Sequence, residues 1–291
     1  MRMTVIEIRG VKGREILDSR GNPTVEVEVR TASGFGRASV PSGASTGSKE
    51  AVEKRDGDLK RFNGKGTLNA VDVVNTAIKD ALIGMNALEQ RAIDELLIDL
   101  DGTENKSNFG ANAIVGTSMG VCKAAADSLK KPLFEYICED VAGMTLAYEL
   151  PVPMMNVING GQHAGNDLSI QEFLVLPLGF DRFRDGLRAG VETYHALKKV
   201  VAAKYGNIAT NVGDEGGYAP PMRETTQPLD AITKAIAEAG YSEVEIRLGM
   251  DGAASSFYDV KARKYRIDGT LKDGSELVEF YKDLVKTYPI A

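Results

Sequence analysis

The sequence predicts an α+β domain followed by an incomplete (β/α)8-type barrel domain. Three observations carry this. Period-two strand patterning near the N-terminus gives way to helical periodicity. A stiff break follows at Leu150-Pro151-Val152-Pro153. Beyond it, short apolar runs alternate with amphipathic helices. The chain has 291 residues, 43% of them hydrophobic and 26% charged, enough apolar material for two buried cores. The expected domains are 1–140 and 141–291.

In the first domain, Val25, Val27 and Val29 alternate with Glu26, Glu28 and Arg30, which predicts a half-buried strand with one wet face. Residues 4–9 alternate less cleanly, with Ile6 and Ile8 on one side. Asp18 to Pro23 is dense in turn formers and separates these strands. Val71, Val74, Ile78 and Leu82 then recur at helical spacing. A second helical face, Val115, Met119, Cys122, Ala126 and Leu129, predicts a core helix that buries Cys122.

After the prolines, an apolar run at 152–158 ends in Asn159-Gly160-Gly161, and Phe173–Leu176 ends at Pro177. A helix places Leu187, Val191, Tyr194, Leu197 and Val201 on one face. A short strand is predicted at 208–212, running into Gly213-Asp214-Glu215-Gly216-Gly217. A helix with Leu229, Ile232 and Ile236 follows, then a strand with Ile246, Leu248 and Met250 that ends in Asp251. The last helix shows Leu277, Phe280, Leu284 and Tyr288. Strand then helix, repeated, predicts a parallel sheet. Polar residues at strand ends (Asn159, Glu215, Asp251) point to a barrel rim. An open doubly wound sheet also binds at its strand ends. About four strands are counted, against the eight of a closed barrel.

A formal net charge of -6 makes nucleic acid an unexpected partner. Met1–Gly10 has no run suited to a signal peptide, and no membrane-spanning stretch of about 18 apolar residues occurs. Cys122 and Cys138 lack metal-ligand spacing and are expected as reduced thiols in a cytoplasmic protein.

Four segments could carry chemistry. Pro41–Ser48, small and polar, is either a surface turn or a loop offering hydroxyls and N–H groups to a phosphate or bound metal. His163 lies in the glycine-rich loop Asn159–Asn166, where it could swing toward a ligand; His195, on a helix beside Tyr194, reads as structural. Gln171-Glu172 opens a strand. A carboxyl buried there needs a partner or a proton, and two carboxyls brought together raise one pKa toward neutrality; a wet rim position is the alternative. Asp251, followed by Gly252-Ala253-Ala254, is either an Mg2+ ligand or the cap of the next turn.

Taken together, these stretches resemble the enolase family from end to end. The resemblance rests on Ile16–Val27, the Ser42–Gly47 loop with Glu50-Ala51 and Arg55–Asp58, and Gly110–Ile114. It continues through Pro151–Gly161, Val212–Pro220 and Asp251 with Ala253-Ala254-Ser255. It implies Mg2+-dependent, reversible dehydration of 2-phosphoglycerate to phosphoenolpyruvate, with two ions per complete site, in a cytoplasmic homo-oligomer, dimer or octamer. By the same resemblance Glu215 is the acid assisting hydroxide departure and Glu172 its partner carboxyl. His163 and Gln171 match substrate-contacting positions, with Glu172 beside them. Ser45 matches a loop ligand of the second ion, and Asp251 the first of three carboxylate ligands of the tighter one. The family's catalytic lysine, its other two metal carboxylates and its phosphate-side cluster have no counterpart here, so the expectation is that the chain alone is inactive. The alternative is a non-catalytic fragment or pseudoenzyme acting as a binding protein. Gly252, Ser256 and Tyr218 depart from the family pattern, Tyr218 standing where phenylalanine is usual. A half barrel is also expected to leave a bare strand edge and poor solubility.

Overall fold

The computed structural model describes residues 5–43, 47, 49–161, 164–213 and 215–291, which form two compact units, Met1–Tyr148 and Glu149–Ala291. The first is an α+β unit. Its strands β1 (Ile8–Leu17), β2 (Pro23–Thr31) and β3 (Phe35–Ser39) form an antiparallel meander. The strand expected at 4–9 instead runs through the polar stretch to Leu17, because it pairs with β2 along nearly its whole length. Asp18 shapes the turn between them: its Oδ1 accepts the backbone N–H groups of Arg20 and Asn22.

Five helices follow: α1 (Leu68–Val73), α2 (Lys79–Leu82), α3 (Gln90–Asp101), α4 (Ala111–Leu129) and α5 (Leu133–Tyr136). Val25, Val27 and Val29 are fully buried beneath them, together with Val74, Ile78 and Leu82. The opposite sheet face is drier than its charges predict. Arg14 spans Glu26 (2.6 Å) and Glu28 (2.9 Å), and Arg37 reaches Glu28 at 2.8 Å. These arginines hold the nearly buried Glu28 carboxyl down at about 2.

Helix α4 lies close on the sheet because both surfaces are small at the contact. Gly116 faces Val27 and Val40, and Gly120 faces Val29 and Val27. The buried face is therefore Ala113, Gly116, Thr117, Gly120, Val121 and Ala124. The expected face is rotated from it: Val115 is 43% exposed, while Met119, Cys122 and Leu129 flank the core. The partial burial of Cys122 still pushes its thiol pKa up, and both cysteines are free thiols.

The second unit is built on β4 (Met155–Asn159), β5 (Glu172–Leu176) and β6 (Arg247–Asp251), in that spatial order. The expected parallel pairing forms only at the sheet's edges, in the bridges Ile158 to Tyr218 and Leu248 to Ile290. Strand β5 runs antiparallel to both neighbours. The connections dictate this. Among the described residues the link from β4 to β5 contains no α-helix, the usual crossover that returns a chain to the same end of a sheet. Two helices, α6 (Phe183–Tyr205) and α7 (Thr226–Glu238), separate β5 from β6. A helix pair cancels its own reversal, so β6 starts at the end where β5 finished. The sheet stays open among the described residues, consistent with an incomplete barrel.

Its two edges are not bare. Tyr218 pairs with β4 through Val157 and Asn159, and β6 pairs through Leu248 with Pro289 and Ala291. The strand expected at 208–212 is a 3-10 turn, Asn207–Thr210, with a single bridge from Val212 to Tyr218. Phe173, Val175, Leu197, Val201, Leu229, Ile232 and Ile236 are buried against the sheet, whereas Leu187 and Val191, expected inside, are each 39% exposed. A small antiparallel ribbon, β7 (Tyr258–Asp259), β8 (Lys264–Ile267) and β9 (Thr270–Lys272), precedes α8 (Gly274–Thr287). Asp273 and Glu276 start α8 with a reciprocal capping box. Among the described residues no helix is long and apolar enough to cross a membrane.

The close seat of α4 sets a stability test. A Cβ on Gly36 would stand 2.0 Å from the Gly120 carbonyl oxygen and 2.5 Å from the Ala124 nitrogen, both backbone atoms. Gly36→Ala is expected to destabilise the first unit by about 2–3 kcal/mol in urea unfolding. Gly10→Ala, whose nearest contact would be Arg30 Cβ at 3.8 Å, should unfold like the parent.

Candidate active site

The reversed direction of β5 decides which residues meet. Its first residue, Glu172, lies at the end of the sheet where β4 and β6 finish. The register sets Asn159 opposite Glu172 and Glu172 opposite Asp251. Directly opposed residues of antiparallel strands share a face with Cβ atoms roughly 4.5–5.5 Å apart. Two predicted carboxyls thus stand side by side although 79 positions separate them in sequence.

Gln171 links β5 to β6 at this end. Its backbone N–H donates to the Asp251 carbonyl oxygen at 3.0 Å, and its side-chain Nε2 donates to Asp251 Oδ2 at 3.3 Å. Gln171 is buried, so its amide has a fixed aim. The other Asp251 oxygen, Oδ1, accepts the N–H of Ala253 at 3.1 Å. The turn-cap alternative for Asp251 is therefore realised on one oxygen. The carboxylate itself remains on the exposed side of the strand end.

Glu215 arrives from the connection between α6 and α7. Tyr218 brings it there by pairing with β4: the Tyr218 N–H donates to the Val157 carbonyl, and the Asn159 N–H donates to the Tyr218 carbonyl at 2.8 Å. Glu215 rides a tight turn closed by Gly216 N–H to Gly213 O and by Gly213 N–H to Gly217 O. Gly216 takes φ +80°, a conformation that glycine adopts without steric cost. Gly217 has a different reason to be glycine. A Cβ there would lie 2.2 Å from Asn159 Oδ1, in the space that the Asn156–Asn159 amide pair fills.

Glu172 and Glu215 share a hydrogen bond. The Glu172 pKa is pushed up to about 8 by burial, by that bond and charge from Glu215, and by the charge of Asp251. A proton kept on Glu172 near neutral pH spares it a full negative charge beside Glu215 and Asp251.

Of the six predicted site residues, the structure brings together Gln171, Glu172, Glu215 and Asp251. His163 and Ser45 lie outside the described residues. Asn159 is expected from the sequence as a rim residue; its amide partner Asn156 is not, nor is Tyr194, whose hydroxyl donates to the Gly216 carbonyl at 2.8 Å. The asparagines' spacing of three within one strand was the only signal that they pair. Among the described residues, no group of three His, Cys, Asp or Glu side chains stands close enough to hold a metal ion. Asp251 is thus a single candidate ligand rather than a complete cation site. An open groove of about 820 Å³ lies along Gly161, Ser169, Arg223, Phe257, Arg266 and Asp268. None of the clustered carboxyls lines it.

Comparison with known proteins matches residues 8–137 to the family model described as "Enolase, N-terminal domain" and residues 147–291 to "Enolase, C-terminal TIM barrel domain". The chain is 62% identical over 283 residues, 97% of its length, to the enolase of Methanococcoides burtonii. It is 59% identical over 285 residues, 98% of its length, to those of Thermococcus gammatolerans and Pyrococcus furiosus. It spans 65% of the length of each of these three relatives.

The raised Glu172 pKa fixes the sign of a pH effect. Below the ordinary value of 4.5 the group is protonated both folded and unfolded. Between 4.5 and about 8 the folded state holds more protons, so stability falls as pH rises through that window. Glu172→Gln removes the titration and keeps an uncharged hydrogen-bonding group. Its melting temperature is expected to gain on the parent by a few degrees as pH rises across the window, measured by thermal unfolding in matched buffers. A constant offset at every pH would remove Glu172 as the titrating group.

Proposed function

The chain belongs to the enolase family, and from that premise we propose that its second unit carries the proton-donating side of a site that dehydrates 2-phosphoglycerate to phosphoenolpyruvate. One observation carries this reading: half-buried Glu172 is hydrogen-bonded to Glu215 and stands directly opposite Asp251, which pushes its pKa up to about 8. Loss of hydroxide from the carbon beta to a carboxylate needs a donor protonated near neutral pH. A lone exposed glutamate does not meet that need, whereas a coupled, half-buried pair does. Glu215, at the tip of its turn, is the donor in this reading. Glu172 passes its proton to Glu215; the donated proton leaves in the product water, and solvent reprotonates the pair. Gln171 holds the Asp251 carboxylate in place.

Membership of the family implies a divalent cation, which we take to be Mg2+, two per complete site. Such a cation stabilises the charge that builds on the substrate carboxylate. Asp251 is the ligand this chain offers to the tighter ion, with Ser45 assigned to the second and His163 to the substrate. One described carboxylate falls short of the several oxygens that a hard cation requires. The same shortfall favours a second reading for the 291 residues expressed on their own, that of a non-catalytic polypeptide. As a glycolytic enzyme the protein would act in the cytoplasm.

Two measurements test these readings. In the full-length protein, Mg2+-dependent formation of phosphoenolpyruvate is expected, and Glu215→Gln should lower kcat by about 10²- to 10⁴-fold with a smaller change in KM. Undiminished turnover in that variant would remove Glu215 as the acid. For the separate 291-residue polypeptide, titration calorimetry should find Mg2+ binding weaker than about 1 mM and no turnover. Tight binding would show that these residues complete a cation site.

A further inference from the structure

We infer that Tyr194, on helix α6, is a positioning residue that aims Glu215 at its partner carboxyl; this rests on the reading of Glu215 as the acid. The turn that carries Glu215 is poorly suited to hold itself still. Glycine occupies 213, 216 and 217, and glycine leaves the backbone its widest freedom. The two hydrogen bonds among Gly213, Gly216 and Gly217 shape it, and the Glu215 side chain bonds Glu172 on β5. Its C-terminal side is tied down, since Tyr218 pairs with β4 and the Ala219 N–H donates to the Asn211 carbonyl. The tip is tied by Tyr194, whose hydroxyl donates to the carbonyl of Gly216, the residue next to Glu215.

The same ring does a second job. It stacks on Tyr218 with centroids 4.4 Å apart and planes within 6° of parallel. The Tyr218 hydroxyl in turn donates to the Tyr194 carbonyl at 3.4 Å. This return bond needs the Tyr218 hydroxyl. The anchor has a firm base. Helix α6 runs 23 residues, and Thr193, Leu197 and Val201 around Tyr194 are fully buried. A well-buried helix therefore holds the acid-bearing turn at Gly216 and at Tyr218.

A proton donor misplaced by about 1 Å can cost up to about a hundredfold in rate. Tyr194→Phe removes the hydroxyl and keeps the stacked ring. In hydrogen exchange on the 291-residue chain, the amides of 213–217 are expected to exchange about tenfold faster, while those in the core of α6 keep their rates. In the full-length protein, kcat for phosphoenolpyruvate formation should fall about tenfold with KM within about twofold of the parent. Tyr241→Phe is the control: it removes another hydroxyl that bonds α6, at Glu192, and should alter neither readout.

Unchanged exchange at 213–217 would overturn the inference, as would faster exchange throughout the unit. A loosened turn with undiminished kcat would overturn the positioning role specifically. If the full-length parent forms no phosphoenolpyruvate, the enolase reading fails and takes the kinetic role of Tyr194 with it. The exchange arm still decides separately whether the turn is clamped.

Discussion

The antiparallel setting of β5 between β4 and β6 is the constraint on which the site depends. Run the other way, the strand would carry Glu172 to the far end of the sheet, roughly 13–17 Å from Asn159 and Asp251 at about 3.3 Å per residue. Slipped by one residue, it would turn the carboxyl into the core and Phe173 out of it. The burial of Phe173 and Val175 thus fixes the register that also brings Glu172 to Asp251. Packing and chemistry are specified by the same alternation. The helix pair α6 and α7 has a topological role here beyond covering the sheet, because it permits β6 to lie against β5 in the opposite sense.

That arrangement gathers like charges, which needs its own account. Two full negative charges about 4 Å apart repel by about 4 kcal/mol at an effective dielectric constant of 20. A domain's whole net stability is about 5–15 kcal/mol. Retaining a proton on the Glu172–Glu215 pair removes most of that repulsion near neutral pH. Partial burial of Glu172 makes the uncharged form easier to hold still. The first unit handles its acids differently. Glu28 is nearly buried yet stays ionised, because Arg14 and Arg37 both reach it. Acids paired with arginine serve the fold, and an acid paired with an acid is left available for chemistry.

Much of this was legible in the sequence. The alternation of Val25, Val27 and Val29, the spacing of Leu229, Ile232 and Ile236, and the positions of Glu172 and Asp251 at strand ends all read correctly, because each depends on local periodicity or a local boundary. Strand direction did not read correctly. It depends on how many helices intervene, and a strand-helix rhythm says "parallel" unless the helices are counted. The α4 face was misjudged because the true contact is made by glycine and alanine, which a search for large apolar residues passes over. Alternation alone makes Glu28 a wet residue, because its closest arginine partners, Arg14 and Arg37, lie on other strands. Tyr194 was read as one more apolar position on α6, and nothing local to it indicates a bond to Gly216 across 22 positions.

Every perturbation acting on Glu172 raises its affinity for a proton: burial, the hydrogen bond and charge of Glu215, and the charge of Asp251. A rim of that kind attracts positive charge, and a proton is the smallest form in which it comes. Asp251 differs in being exposed and in having its two oxygens oriented by Gln171 and Ala253. An exposed, oriented carboxylate suits a hydrated cation, whereas a half-buried, shared carboxyl suits a proton. The same sheet end therefore offers two kinds of acidic site within one strand spacing. What separates them is the depth of each side chain, set by the strand on which it stands.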